Sequence, residues 1–183
     1  MIKRVILVFV LLVFSWSGYA QEVNTFENRN ELKFNFGYLL LACELTYERI
    51  LTEEQSVGAS ISYSSIESNY ILPDFIEFLF TPYYRVYFGK KIASGLFIEA
   101  NAAFLSERVS GTIFNEDTQD IKSIKERQYA FGLGVSAGYK HITKREKVLE
   151  IYLGGGRSLI NFNNNIDNVD LYPRIGLILG KRF

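Results

Sequence analysis

From residue 31 onward, large apolar residues alternate with small or polar ones along most of the chain, and no stripe at helical spacing interrupts them. Alternation with period two marks strands that have two unlike faces. Eight segments carry it: Glu31 to Tyr38, Cys43 to Ile50, Ser56 to Ser64, Phe78 to Gly89, Gly95 to Leu105, Tyr129 to Lys140, Val148 to Ser158 and Leu171 to Phe183. The sixth is the clearest, with Tyr129, Phe131, Leu133, Val135, Ala137 and Tyr139 opposed to Ala130, Gly132, Gly134, Ser136 and Gly138.

The links between these segments are of two kinds. Leu51 to Gln55, Lys90 to Ser94 and His141 to Lys147 are short, whereas Ser65 to Glu77, Ser106 to Gln128 and Leu159 to Asp170 are long. Short turns at one end and long loops at the other describe an up-and-down barrel of even strand number. Hairpins centred on Ile92 and near Glu53 set Arg85 opposite Glu99 and Glu48 opposite Gly58. A centre between Leu40 and Leu41 sets Lys33 opposite Glu48, and one at Lys144 sets Gly138 opposite Glu150. Each of these keeps polar with polar, as a one-residue slip would not. Pro82 lies inside the fourth segment and cannot donate to a ladder, which predicts a β-bulge or a distorted pair there.

The two faces decide what surrounds the barrel. The smaller face is mostly Gly, Ser and Ala with a few long charged residues, a composition suited to the narrow interior of eight strands. The bulky face then points outward, with Arg49, Arg157 and Lys181 near strand ends and Tyr47, Tyr63, Tyr129 and Tyr139 placed as an interfacial girdle. The expected fold is therefore all-β, an eight-stranded antiparallel transmembrane β-barrel over residues 31–183; a soluble barrel is the alternative.

The first residues stand apart. Lys3 and Arg4 precede an apolar run from Val5 to Phe14, with Gly18 and Ala20 after it. This is the pattern of a cleavable signal peptide over residues 1–20, too short to span a membrane as a helix. Residues 21–30 then form a periplasmic N-terminal segment, and removal of Lys3 and Arg4 leaves 18 basic against 20 acidic residues. Leu40-Leu41-Ala42-Cys43 imitates a lipobox but lies far beyond that run, so Cys43 reads as a small strand residue.

Composition narrows the chemistry. Basic and acidic residues balance at 20 each, which argues against a nucleic-acid partner, and one His with one Cys builds no ordinary metal site and no internal disulfide. No cofactor is expected. The polar face carries Lys33, Glu44, Glu48, Arg85, Glu99, Lys140, Glu150, Arg174 and Arg182. Of these, Lys33, Glu44, Glu48, Arg85, Glu99, Glu150 and Arg174 are the expected lumen ion pairs, structural rather than catalytic. His141 falls in a short turn beside Lys144 and Arg145, away from any paired nucleophile, so no enzyme is expected; a lipid-modifying barrel is the alternative. The long links hold an acidic surplus in Glu67, Asp74, Glu77, Asp167 and Asp170, which suits a solvated or binding surface.

The motifs Leu45-Thr-Tyr-Glu-Arg49, Thr81-Pro-Tyr-Tyr-Arg85 and Gly95-Leu-Phe-Ile-Glu-Ala-Asn101 resemble those of small OmpA/OmpX-like outer-membrane barrels. They resemble still more the uncharacterised outer-membrane barrels of Gram-negative bacteria. The resemblance implies fold and location, the cell outer membrane, rather than an activity. Phe183, with Leu179, Leu177 and Ile175 at the same parity, is similar to the terminal signal read by barrel-assembly machinery, although Lys181 stands where an aromatic is usual. The implied partners are outer-membrane lipid and that machinery, the implied state a monomer, and the implied role a structural or surface-loop one in the cell envelope.

Overall fold

A computed structural model describes residues 28–36, 43–64, 76–115, 120–162 and 171–183, with the backbone alone over 107–115 and 120–126. Residues 1–27, which include the expected signal peptide, and Leu40 to Ala42 of the lipobox-like motif lie outside the described residues. The described chain is eight strands: β1 Asn30–Asn35, β2 Cys43–Ile50, β3 Gln55–Tyr63, β4 Ile76–Phe88, β5 Gly95–Asn115, β6 Asp120–Ile142, β7 Lys147–Asn161 and β8 Leu171–Arg182. Each pairs antiparallel with its neighbours in sequence, and β1 pairs with β8 to close the barrel.

The alternation sorts every strand as expected. On β2, Glu44, Thr46, Glu48 and Ile50 are buried and Cys43, Leu45, Tyr47 and Arg49 are exposed. On β8, Tyr172, Arg174, Gly176 and Ile178 point inward, while Leu171, Ile175, Leu177 and Leu179 point out. The outward face is a continuous sheath of large apolar side chains, with Val135 and Leu153 both 66% exposed.

Three corrections concern register and boundaries. Lys33 lies opposite Thr46, not Glu48, and Gly138 lies opposite Tyr152, not Glu150. Both expected hairpins were two residues off, a shift that preserves the faces because side chains repeat every second residue. Arg85 opposite Glu99 and Glu48 opposite Gly58 stand as expected. The segment from Ser106 to Gln128, expected as a loop, is instead the outer half of a regular β5–β6 ladder running from Gly95 opposite Lys140 to Asn115 opposite Asp120. Its alternation is interrupted by charged and small residues, which reads as loop until the two halves are laid against each other. At Pro82 the β3 ladder is unbroken through Ala59, whereas β5 pairing lapses after Phe80 and resumes at Tyr83 in the same register. Proline's missing N–H explains the lapse; the register shift between β4 and β5 sits at Ile76/Phe78 instead.

The short turns seal one end. Ala93 (φ 43°) and Gly95 (φ 98°) adopt left-handed backbone that folds the β4–β5 turn across the base. There Ala93, fully buried, packs with Ile50, Tyr87, Phe97, Tyr152 and Ile178. Its N–H donates to the Glu53 carbonyl at 2.6 Å. A second apolar layer of Ala103, Leu105, Ala130 and Tyr172 lies toward the opposite end.

Candidate functional site: a buried charge network

Between these layers the inward positions hold charge. Alternation aims Glu31, Lys33, Glu44, Glu48, Arg85, Glu99, Lys140, Glu150, Arg174 and Arg182 into the barrel, and all are buried. Glycines and serines on the facing strands make room: a Cβ on Gly176 would lie 2.2 Å from the Tyr152 ring, and one on Gly156 the same distance from Tyr172.

Glu48 is the hub. One carboxylate oxygen accepts from Tyr87 Oη at 2.6 Å and Lys140 Nζ at 2.6 Å. The other accepts from Tyr83 Oη at 2.8 Å, Arg85 Nη1 at 3.0 Å and Lys33 Nζ. Towards the base, Lys140 also donates to Glu31 at 2.9 Å, and Glu31 accepts a second cation, Arg182, at 2.7 Å. Arg182 continues to the Ile92 and Ala93 carbonyls, which ties the network to the sealing turn. Towards the far layer, Arg85 Nε donates to Glu99 at 2.7 Å, and Glu99 accepts from Arg174 Nε, also at 2.7 Å. Arg174 reaches Glu44, which accepts from Asn35 at 2.9 Å and from Tyr152 Oη at 3.3 Å. Lys33 donates to Glu150 at 3.0 Å, and Arg85 Nη1 lies 2.8 Å from the same carboxylate.

Aromatic faces complete the surroundings of the cations. The Arg85 guanidinium lies 4.4 Å from the Tyr83 ring centre and 4.2 Å from that of Phe97, and Lys140 lies 4.5 Å from that of Tyr87. Desolvated cations gain most from such contacts.

The structure therefore joins Lys33, Glu44, Glu48, Arg85, Glu99, Glu150 and Arg174 into one network with Lys140 and Arg182. The polar-face reading counted five cations against four carboxylates; Glu31 was missed, and it makes the balance five to five. Its signal was available, since Glu31 shares parity with Lys33. Also missed were the tyrosine hydroxyls that complete Glu48 and Glu44. Each of the five carboxylates lies against at least one cation, the condition under which buried charge is tolerated. Chemically this is a set of paired charges, suited to holding eight strands in one arrangement, although Arg85 Nη2 and Glu150 Oε1 are buried without a hydrogen-bond partner. Among the described residues no group of three His, Cys, Asp or Glu is placed to hold a metal ion. Glu77, expected in an acidic loop, is the second residue of β4 instead and accepts from Arg127 at 2.7 and 2.8 Å.

No curated protein matches the chain. No solved structure matches it. A family model described as protein of unknown function (DUF3575) matches residues 6–167, the greater part of the chain, and the protein belongs to that family.

Proposed function

We propose that this protein is a monomeric, non-enzymatic barrel of the Gram-negative outer membrane, with a structural role in the cell envelope or a binding role at its long-loop end. The observation that carries the reading is the inversion of its two faces: charges inside, large apolar side chains outside. In water, a contiguous apolar exterior of this extent is an aggregation surface; in lipid it is the expected one.

The dimensions agree. From Lys147 to Arg157 the outward positions of β7 are Leu149, Ile151, Leu153 and Gly155. That span rises roughly 33 Å along the strand, or about 25 Å along the axis at the usual tilt, close to the height of an outer-membrane apolar band. Tyr47, Tyr63, Tyr129 and Tyr139 are exposed at the margins of this sheath. In this reading residues 1–20 direct export and are removed, and the terminal strand ending at Phe183 is presented to barrel-assembly machinery. The paired interior carboxylates support a structural interior, which leaves recognition to the loop end.

Fractionation of cells expressing the full chain tests the reading. Expected is a product beginning at Gln21 in the outer-membrane fraction, migrating differently on a detergent gel before and after heating. A soluble periplasmic product with unchanged mobility would overturn it.

A further inference from the structure

Two hollows interrupt the outward face of β6–β8. One, of about 700 Å³, lies toward the long-loop end beside Leu133, Val135, Gly155 and Leu171, with Arg157 at its edge. The other, of about 400 Å³, lies toward the short turns and is lined by Phe36, Tyr139, Leu149, Ile151, Leu177 and Leu179, with His141 on its rim.

What bounds the second hollow points to an occupant. Leu149 and Leu179 are partners across β7 and β8, and the next outward pair toward the turns is Lys147 directly opposite Lys181. Both lysines are exposed, and neither is joined in an ion pair to a described carboxylate. Directly opposed like charges on one face of a sheet repel, and an anion held between them would turn that repulsion into attraction. The apolar hollow begins one outward position away, roughly 7 Å along the strand. Lys144 and Arg145 in the adjoining turn add positive charge, against Glu146 alone.

We propose that this groove binds an anionic phospholipid, its phosphate bridging Lys147 and Lys181 and one acyl chain lying along Leu149, Ile151, Leu177 and Leu179. A free phosphate would use the lysines but not the hollow, and a neutral lipid would use the hollow but not the lysines. The inference rests on the membrane reading above and adds to it a lipid class at a defined site.

The full chain, folded in neutral maltoside micelles, is offered dioleoylphosphatidylglycerol, dioleoylphosphatidylcholine or inorganic phosphate, and native mass spectrometry counts what is retained. Expected is retention of phosphatidylglycerol roughly tenfold better than phosphatidylcholine at low salt, given the attraction two lysines exert on an anionic headgroup. Lys147→Ala/Lys181→Ala should bring the two lipids to parity, and Lys90→Ala/Lys91→Ala, in another turn, should leave the preference intact. Ile151→Trp, which fills the hollow, should lower phosphatidylglycerol retention with both lysines present. Equal retention of both lipids by the parent chain, inorganic phosphate held as well as lipid, or loss of preference in the Lys90/Lys91 variant would each overturn the proposal. Co-sedimentation with phosphatidylcholine vesicles separates the two readings: a chain that does not insert defeats the membrane reading, and one that inserts without lipid preference defeats only this inference.

Discussion

Arg85 and Glu99 face each other directly across β4 and β5, and the guanidinium Nε donates to the carboxylate at 2.7 Å. The same arginine contacts Glu48 and Glu150, and its side chain is fully buried. Arg85→Ala would take one cation from each of three buried carboxylates, leaving Glu99 to Arg174 alone and Glu150 to Lys33, a loss of about 3–5 kcal/mol. Guanidinium titration of the barrel in detergent should show a correspondingly lower midpoint; an unchanged midpoint would contradict the role given to Arg85.

Two glycines test how closely the interior is packed. A Cβ at Gly154 would lie 2.3 Å from the Val135 carbonyl, which is backbone, whereas at Gly176 it would meet the Tyr152 ring, a side chain that can turn. Gly154→Ala should cost roughly 1–3 kcal/mol and Gly176→Ala less. The reverse order in unfolding experiments would mean that the tyrosine ring is held more rigidly than the ladder.

The lipid-facing reading makes a depth-dependent prediction. Leu153 lies in the middle of the outward stripe of β7, and Leu159 lies beyond Arg157 near its end. Leu153→Arg should cost roughly 2–4 kcal/mol of folding free energy in vesicles, and Leu159→Arg about 0–1 kcal/mol. Two small, equal effects would be the behaviour of a water-exposed surface.

The β5–β6 ribbon should be dispensable beyond its last neighbours. β4 pairs with β5 as far as Glu107, and β6 still receives a bond from Phe162 at Tyr129. Further out, β5 and β6 pair only with each other among the described residues, and an isolated two-stranded ribbon is marginal. Replacing residues 109–126 with a two-residue turn should leave heat-dependent mobility intact and change stability by no more than about 0.5 kcal/mol. Removing 106–128 also deletes the partner of Glu77 and should cost more. Failure of the shorter deletion to fold would make the ribbon part of the assembly route.

Parity was legible in the amino-acid sequence where register was not. Hydrophobic alternation says which side of a strand is outside, and it placed Lys33, Glu48 and Arg174 inside correctly. It repeats every two residues, so it is blind to a two-residue slide; Lys33 was expected opposite Glu48 yet faces Thr46 and meets Glu48 on the diagonal. Turn chemistry settles such slides. The β6–β7 turn is set by Glu146 at φ 58°, a conformation that sequence alone would sooner assign to glycine or asparagine. The extension of β5 and β6 is hidden for a related reason: beyond Glu107 the two strands pair only with each other among the described residues, and no third strand imposes a pattern. Pro82 was recognised as a break, but its effect is an unformed pairing on one side rather than an inserted residue.

Arg182 is the last residue of β8, and its guanidinium holds Glu31 of the first strand and the carbonyls of Ile92 and Ala93 at the base. It supplies the fifth interior cation and sits on the strand whose pairing with β1 turns an open sheet into a closed one. A barrel whose eighth strand has not docked would therefore have an unjoined seam, an unlatched base and a surplus of negative charge facing the lumen. Seam, floor and charge balance are completed together, so docking of β8 closes the barrel, latches its base and neutralises its interior in one step.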